Sequence, residues 1–475
     1  MGRCLIAFIL VASTKVLGIE FSEILFDSRK WNEIELSENH VKLGHGEPDF
    51  KFGVSTCTYQ DSGLYHCPHS QWAEWEKSIL PEERRSGRGA NFYELYQTKE
   101  GRNQIIRRLK KLGVNSYRFS IEWSQIQPAQ GLWNDSALDV YIELCKHLRE
   151  EGIDPMVTLH HFSEPQWFHD LGSFEKRENI DHYVYFAVRA YKALTRSYGE
   201  KPLVDLFCTI NEPNIEGFQR YIMGVYSPGK RWKFEQAAHF LKHMLIAHCQ
   251  AYQQMKNHCS DVRVGIVHQY LKFIPSNLLV KPLTRSLTKL TNLASLNFFK
   301  TKGTFSVHIP TLCNIHEDLQ DEIDVKTDFV GLQYYTRPVI AFSGSSFIYE
   351  PMTNTQMQMR EDPEGIYEAI IRTHQAYGAP VIITENGIST HDVNQRSRYM
   401  LRALYSVEQA REIIGKENLL GYYCWSLPHV FEWDYGMRPE AFGLFELHDN
   451  GQLSEEPKPG TGSFIKIIQQ WRESL

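Results

Sequence analysis

The chain is poor in most features that mark specialised protein classes. Cysteine is scarce, nine among 475 residues, with an odd count and no CxxC spacing. That usage fits neither a disulfide-stapled scaffold nor a thiolate metal site. Cys208 and Cys424 sit inside apolar runs and read as buried thiols, while Cys57 and Cys67 flank a short loop and leave a pairing open. Positive charge is not in excess: 51 Lys and Arg stand against 57 Asp and Glu, a formal charge of −6. With no basic stripe, a nucleic-acid partner is not expected. No run of the ~18 apolar residues needed for a membrane span is present. Fixed-period repeats, heptads and long low-complexity tracts are also missing, which excludes solenoids, propellers and coiled coils.

The N-terminus carries one weak address. Arg3 precedes an apolar run over 4–12, and Val16-Leu17-Gly18 has small-residue character at a possible cleavage point, but Lys15 interrupts the approach to it. Residues 1–49 therefore read as an N-terminal extension on a cytoplasmic protein, with secretion as the alternative if 1–18 act as a signal peptide.

What is present is a folded-protein composition, 42% hydrophobic and 13% aromatic. Eight β-rich apolar runs lie at 52–56, 116–121, 155–159, 206–210, 262–267, 329–334, 380–384 and 422–426. Helical patterns lie between them, at 102–112, 138–150, 183–198, 234–255, 363–377 and 395–414. In the first, Ile105, Ile106, Leu109 and Leu112 recur at helical spacing, Arg107, Arg108, Lys110 and Lys111 face water, and Gly113 stops the helix. Continuous apolar strands alternating with helices argue for a parallel sheet covered on its outside. Eight such units predict one (β/α)8 barrel over 50–475, with long βα loops. The largest insertion is 272–328, with a Leu/Thr-rich stretch at 278–296 read as a helical cover.

In such a barrel the chemistry sits at the C-terminal ends of the strands. Glu212 and Glu385 each directly follow an apolar β run, on strands four and seven across the mouth from one another. Two facing carboxyl groups suit glycoside cleavage, one giving a proton to the leaving oxygen and the other attacking or activating water. Other strand ends bring Tyr59-Gln60, Arg118, His160-His161, Tyr334-Tyr335, Trp425 and Glu432-Trp433 to the same rim.

The strings TINEP (209–213) and ITENG (383–387) resemble the two signature motifs of glycoside hydrolase family 1. The likeness continues in FKFGVSTCTYQ (50–60), NSYRFSIEWSQI (115–126), TLHHFSEPQW (158–167), DFVGLQYYT (328–336) and GYYCWSLPHVFEW (421–433). It implies a TIM barrel and a retaining exo-β-glycosidase acting on β-glucosides, with β-galactosides or β-fucosides as further substrates. Glu212 would be the acid/base and Glu385 the nucleophile, supported by Arg118 and Tyr335. Asn211 would contact the sugar's 2-hydroxyl. Gln60, His161, Tyr335, Glu432 and Trp433 would line the sugar pocket, with Trp425 as the ring platform. The partner is a small carbohydrate, and no cofactor or metal is required. His239 and His243, four apart on a helix without HExxH, read as helix-face residues.

The rim departs from the family pattern. Gln333 stands for the usual Asn, Phe162 and Ser163 for a Trp-Asp pair, Asn214 for a Trp, Met359-Arg360 for Trp-Glu, and Pro428-His429-Val430 for Leu-Asp-Asn. Loss of the Trp at 214 and 359 implies two missing aglycone contacts. Glu432 stands where relatives acting on 6-phosphorylated sugars hold the phosphate, which favours a neutral sugar. A glycan- or protein-binding relative without catalysis and a transglycosidase using the same residues remain as alternatives.

Overall fold

The computed structural model describes residues 35–343, 346–349, 359–437, 442–448 and 451–475; the candidate signal segment at 1–18 lies outside them. Eight parallel strands close into a barrel. They are β1 Lys51–Ser55, β2 Ser116–Ser120, β3 Asp154–His160, β4 Leu206–Ile210, β5 Arg263–Gln269, β6 Phe329–Gln333, β7 Val381–Asn386 and β8 Leu419–Trp425. Each pairs with its neighbours in chain order, and β1 closes on β8 with Gly53 opposite Tyr423. All eight expected strands are found, with ends shifted by at most three residues.

Helices cover the barrel: α1 Lys99–Leu112, α2 Asp135–Glu150, α3 Ile180–Leu194, α4 Phe234–His258, α5 Ala294–Lys300, α6 Gly365–Tyr377, α7 Val393–Ile414 and α8 Gly462–Glu473. Helix α1 shows why these segments form. Thr98 caps its start by accepting from Gly101 N at 3.0 Å, and Gly113 ends it in the left-handed region at φ 76°. Ile105, Ile106, Leu109 and Leu112 are buried as expected. Arg108 is not water-facing. It is buried under the C-terminal segment and donates to Leu453 O and Ser454 O, at 2.8 and 3.0 Å. Helix α3 ends at Leu194, four residues short of the expected end, because Ser197–Tyr198 pair with Lys201–Pro202 in a small hairpin.

The core has two layers. Inside the barrel, Met156, Leu206, Cys208, Val267, Phe329, Ile382 and Tyr423 form a compact plug. A larger apolar layer lies between strands and helices. Residues 38–49, assigned from sequence to an extension, pack at the barrel's base: Val41 and Leu43 are fully buried, Glu47 pairs with Arg411, and its carbonyl accepts from Trp471 Nε1 at 3.2 Å. Cys57 and Cys67 are both buried free thiols. The β5–β6 insertion is helical at Lys281–Thr288, passes through a π turn at Lys289–Leu293 and continues as α5. No helix among the described residues is long and apolar enough to cross a membrane.

Candidate active site

The strand ends of β4 and β7 place the two glutamates by different devices. Glu212 follows β4 with φ 42° and ψ 57°, the left-handed region, at the residue before Pro213. Such a conformation costs roughly 1–3 kcal/mol in a non-glycine residue and persists only where its surroundings hold it. Here Glu212 N donates to Val267 O at 3.1 Å, and its carbonyl accepts from Ile215 N and Glu216 N at 2.9 and 3.0 Å. Glu385 is aimed by a bulge. Leu332 opposes Ile383, but the next residue, Gln333, opposes Glu385, so Thr384 is the extra residue in β7.

The next two motif residues hold this end of β7. Asn386 Nδ2 donates to Tyr334 O at 2.5 Å and to Tyr399 OH at 3.0 Å, and its Oδ1 accepts from Tyr422 OH at 2.8 Å. Gly387 allows a close approach, since a Cβ there would lie 2.3 Å from Trp425 O.

Around Glu385 the hydrogen bonds converge. Arg118, fully buried on β2, donates from Nη1 to Glu385 Oε1 at 2.6 Å and from Nη2 to Asn211 Oδ1 at 2.7 Å. Tyr335 OH donates to Glu385 Oε2 at 2.7 Å. Gln333 Nε2 donates to Asn211 Oδ1 at 2.8 Å. With two donors on its oxygen, Asn211 must turn its amide nitrogen to His161 Nε2, at 3.1 Å. His161 therefore accepts there. Burial, with Arg118 nearby, pushes its pKa well below the usual value, so the ring is neutral.

Glu212 stands differently. Among the described residues its Oε1 has no hydrogen-bond partner. Burial raises its pKa well above the usual carboxylate range, and the neighbouring charge of Glu385 raises it further. Burial also raises that of Glu385, but Arg118 and Tyr335 pull it back. Of the two, Glu385 is the group that ionises first.

Both glutamates line one cavity of about 320 Å3. Gln60, His161, Tyr335, Trp425, Glu432 and Trp433 line it as well. Gln60 Nε2 donates to Phe431 O at 2.8 Å and Phe431 N to Gln60 O at 3.0 Å, which ties the β1 loop to the loop bearing Glu432. Trp433 stacks on Tyr59 at 5.8 Å between ring centres. Gln60 Oε1 and Glu432 Oε1 are buried without a partner among the described residues. Polar atoms in that condition are costly unless a ligand meets them.

A sequence model described as "Glycosyl hydrolase family 1" matches residues 46–470. The chain belongs to glycosyl hydrolase family 1. It is a glycosidase. It is 27% identical over 457 residues to beta-glucosidase A of Acetivibrio thermocellus, covering 88% of this chain and 97% of that one. It is also 27% identical to a 6-phospho-beta-galactosidase of Streptococcus mutans, over 89% and 97% of the two chains. The crystal structure of a family 1 beta-glucosidase from Exiguobacterium antarcticum superposes with a TM-score of 0.77 at 26% identity, covering 91% of this chain and all of that one. A beta-glycosidase from Pyrococcus horikoshii gives 0.75 at 27%, over 90% and 96%.

Within this family 1 site, two rim expectations divide. Asn214 does not line the cavity; its amide donates to Gln269 O and Thr291 O, at 2.8 and 2.5 Å, and pins the insertion to β5. Met359 does line it, so that contact is changed in kind and not lost. His160 points into a buried ion cluster instead, 2.8 Å from Glu216, where Arg220 also pairs with Glu164 at 3.0 Å. Ile215, Phe218, Met223, Val225 and Leu271 complete one wall. Sequence reasoning missed them, since they come from two loops, after β4 and after β5, with no shared motif. His243 Nδ1 donates to Phe174 O at 2.9 Å, as a helix-face residue.

Proposed function

We propose that this glycosidase is a retaining exo-β-glycosidase of neutral β-glucosides, with β-galactosides and β-fucosides as further substrates. The observation that carries the reading is the asymmetry between the two cavity carboxyls. Glu385 is held by Arg118 and Tyr335, while Glu212 has a free oxygen and a strongly raised pKa. The first suits a nucleophile and the second a proton donor.

The cycle follows from their coupling. Glu385 attacks the anomeric carbon while Glu212 protonates the departing oxygen. Ester formation removes the charge on Glu385, and with it the repulsion that helps hold the Glu212 pKa up. Glu212 then takes a proton from water, which displaces the sugar from Glu385. Asn211, oriented by Arg118 and Gln333, contacts the 2-hydroxyl. Gln60, His161 and Glu432 meet the sugar's edge, and Trp425 and Trp433 its faces.

A neutral sugar is supported by charge. The described residues lining the cavity include Glu212, Glu385, Glu432 and Asp434 but no Lys or Arg. Among those described residues a sugar phosphate would meet carboxyl groups and no cation. Exo action is supported by Gln60, Glu432 and Trp433 closing around one end. The test is a panel of aryl α- and β-glycosides, with and without a 6-phosphate, on purified protein. Turnover of neutral β-glycosides is expected. Turnover confined to phosphorylated members overturns the charge argument, and turnover of none returns the protein to a binding role.

A further inference from the structure

We infer that the leaving-group side of this cavity takes an apolar alcohol, an alkyl or aryl aglycone, in preference to a second sugar. The inference rests on the glycosidase reading above and specifies its substrate class.

The two sides of the cavity are chemically unlike. The polar set formed by Gln60, His161 and Glu432, with the indoles of Trp425 and Trp433, belongs to the β1, β3 and β8 ends. The other side begins at Glu212, which must face the leaving oxygen. Its helix, Pro213–Phe218, contributes Ile215 and Phe218. The turn after it contributes Met223 and Val225, the start of the insertion Leu271, and the segment before α6 Met359. Ile215, Phe218 and Leu271 are buried in the core as well as lining the cavity, so their positions are held by packing.

Polar groups among the described residues of this side are few. Gln219, Tyr226, Gln269 and Thr336 line the cavity, and Thr336 Oγ1 already donates to Arg360 O at 2.8 Å. Asn214 is turned away into the barrel wall. A second sugar would bring four or so hydroxyl groups against mostly aliphatic side chains, and each one left unpaired costs about 1–3 kcal/mol. It would also find no indole there among the described lining residues to stack on. A flexible alkyl chain or an aryl ring loses nothing on that wall and gains by burial.

The test uses the whole protein and a matched series: methyl, butyl, hexyl and octyl β-glycosides of the sugar preferred in the aryl panel, beside the corresponding disaccharide. We expect kcat/KM to rise by up to about fourfold per added methylene over the first carbons, and the disaccharide to fall below the butyl glycoside. Met223→Gln, at a half-buried position, and Leu271→Asn should each flatten that slope, lowering octyl turnover at least fivefold more than methyl. A flat series, or a disaccharide preferred over the octyl glycoside, overturns the inference while leaving the glycosidase reading intact. An aryl panel without turnover removes the reading itself. If Leu271→Asn fails to fold, Met223→Gln and the wild-type series still decide.

Discussion

Arg118 and Glu385 form a fully buried ion pair at 2.6 Å, and the second arm of the same guanidinium holds Asn211 at 2.7 Å. One planar fork thus sets the nucleophile candidate and the proposed 2-hydroxyl contact, Asn211, relative to each other. Lys offers a single point charge and cannot do both. Arg118→Lys should lower kcat by about 100-fold or more, on the scale of losing one preorganised electrostatic contact. Steady-state kinetics on an aryl β-glycoside checks this; a loss under threefold would mean the pair is structural only.

Glu212→Ala should separate substrates by leaving group. Glycosides of poor leaving groups need its proton and should lose about 100- to 10,000-fold. Activated dinitrophenyl glycosides need none and should lose far less in the first step. Comparing kcat/KM for an alkyl and a dinitrophenyl glycoside decides it; equal losses would reverse or void the assignment.

The pH profile of kcat/KM should be bell-shaped. Glu385 must be ionised, so activity falls on the acid side as it takes up a proton. Glu212 must be protonated, and its raised pKa places the basic limb well above the usual carboxylate range. Tyr335 has its own pKa raised by burial and by Glu385, so it stays a donor across this range. Tyr335→Phe removes that bond to the ionised form, and the Glu385 pKa rises. The acid limb should move to higher pH by about one unit, with a hydrogen bond to a charged group worth roughly 1.5–3 kcal/mol. An acid limb that stays in place would assign it to another group.

Gly387→Ala tests why the second motif ends in glycine. The added Cβ would meet Trp425 O at 2.3 Å, forcing the ends of β7 and β8 apart beside the cavity. A stability loss of about 1–3 kcal/mol is expected, with a larger fall in kcat/KM than in Tm would suggest. Thermal melts and kinetics on one preparation check it.

The barrel was legible because its strands are buried on both faces and so read as unbroken apolar runs. Glu212 and Glu385 were legible because a carboxyl directly after such a run has no structural reason to be there. The loop after β1 was not legible. Its helices at Thr58–His66 and Gln71–Ile79 carry Gln60, Asp61, Ser62, Gln71 and Glu76, all buried. A polar residue paired inside the protein leaves no periodic signature, and Gly63, at φ 65°, kinks the first helix besides. The buried cluster of Glu164, Arg220, Glu216 and His160 was hidden for the same reason. Arg220 meets Glu216 one helical turn away, but the contacts that close the cluster, His160 to Glu216 and Arg220 to Glu164, each span 56 residues. The apolar wall was hidden because no local pattern marks side chains that meet from separate loops.

The central claim is that Glu385 becomes covalently bound to the sugar, and it is tested most directly by trapping that species. Incubation with an activated 2-deoxy-2-fluoro-β-glucoside, followed by digestion and peptide mass spectrometry, should give one sugar adduct located on Glu385, with inactivation proceeding in step with labelling. An adduct on Glu212, or no adduct together with a first product of inverted anomeric configuration, would contradict the account.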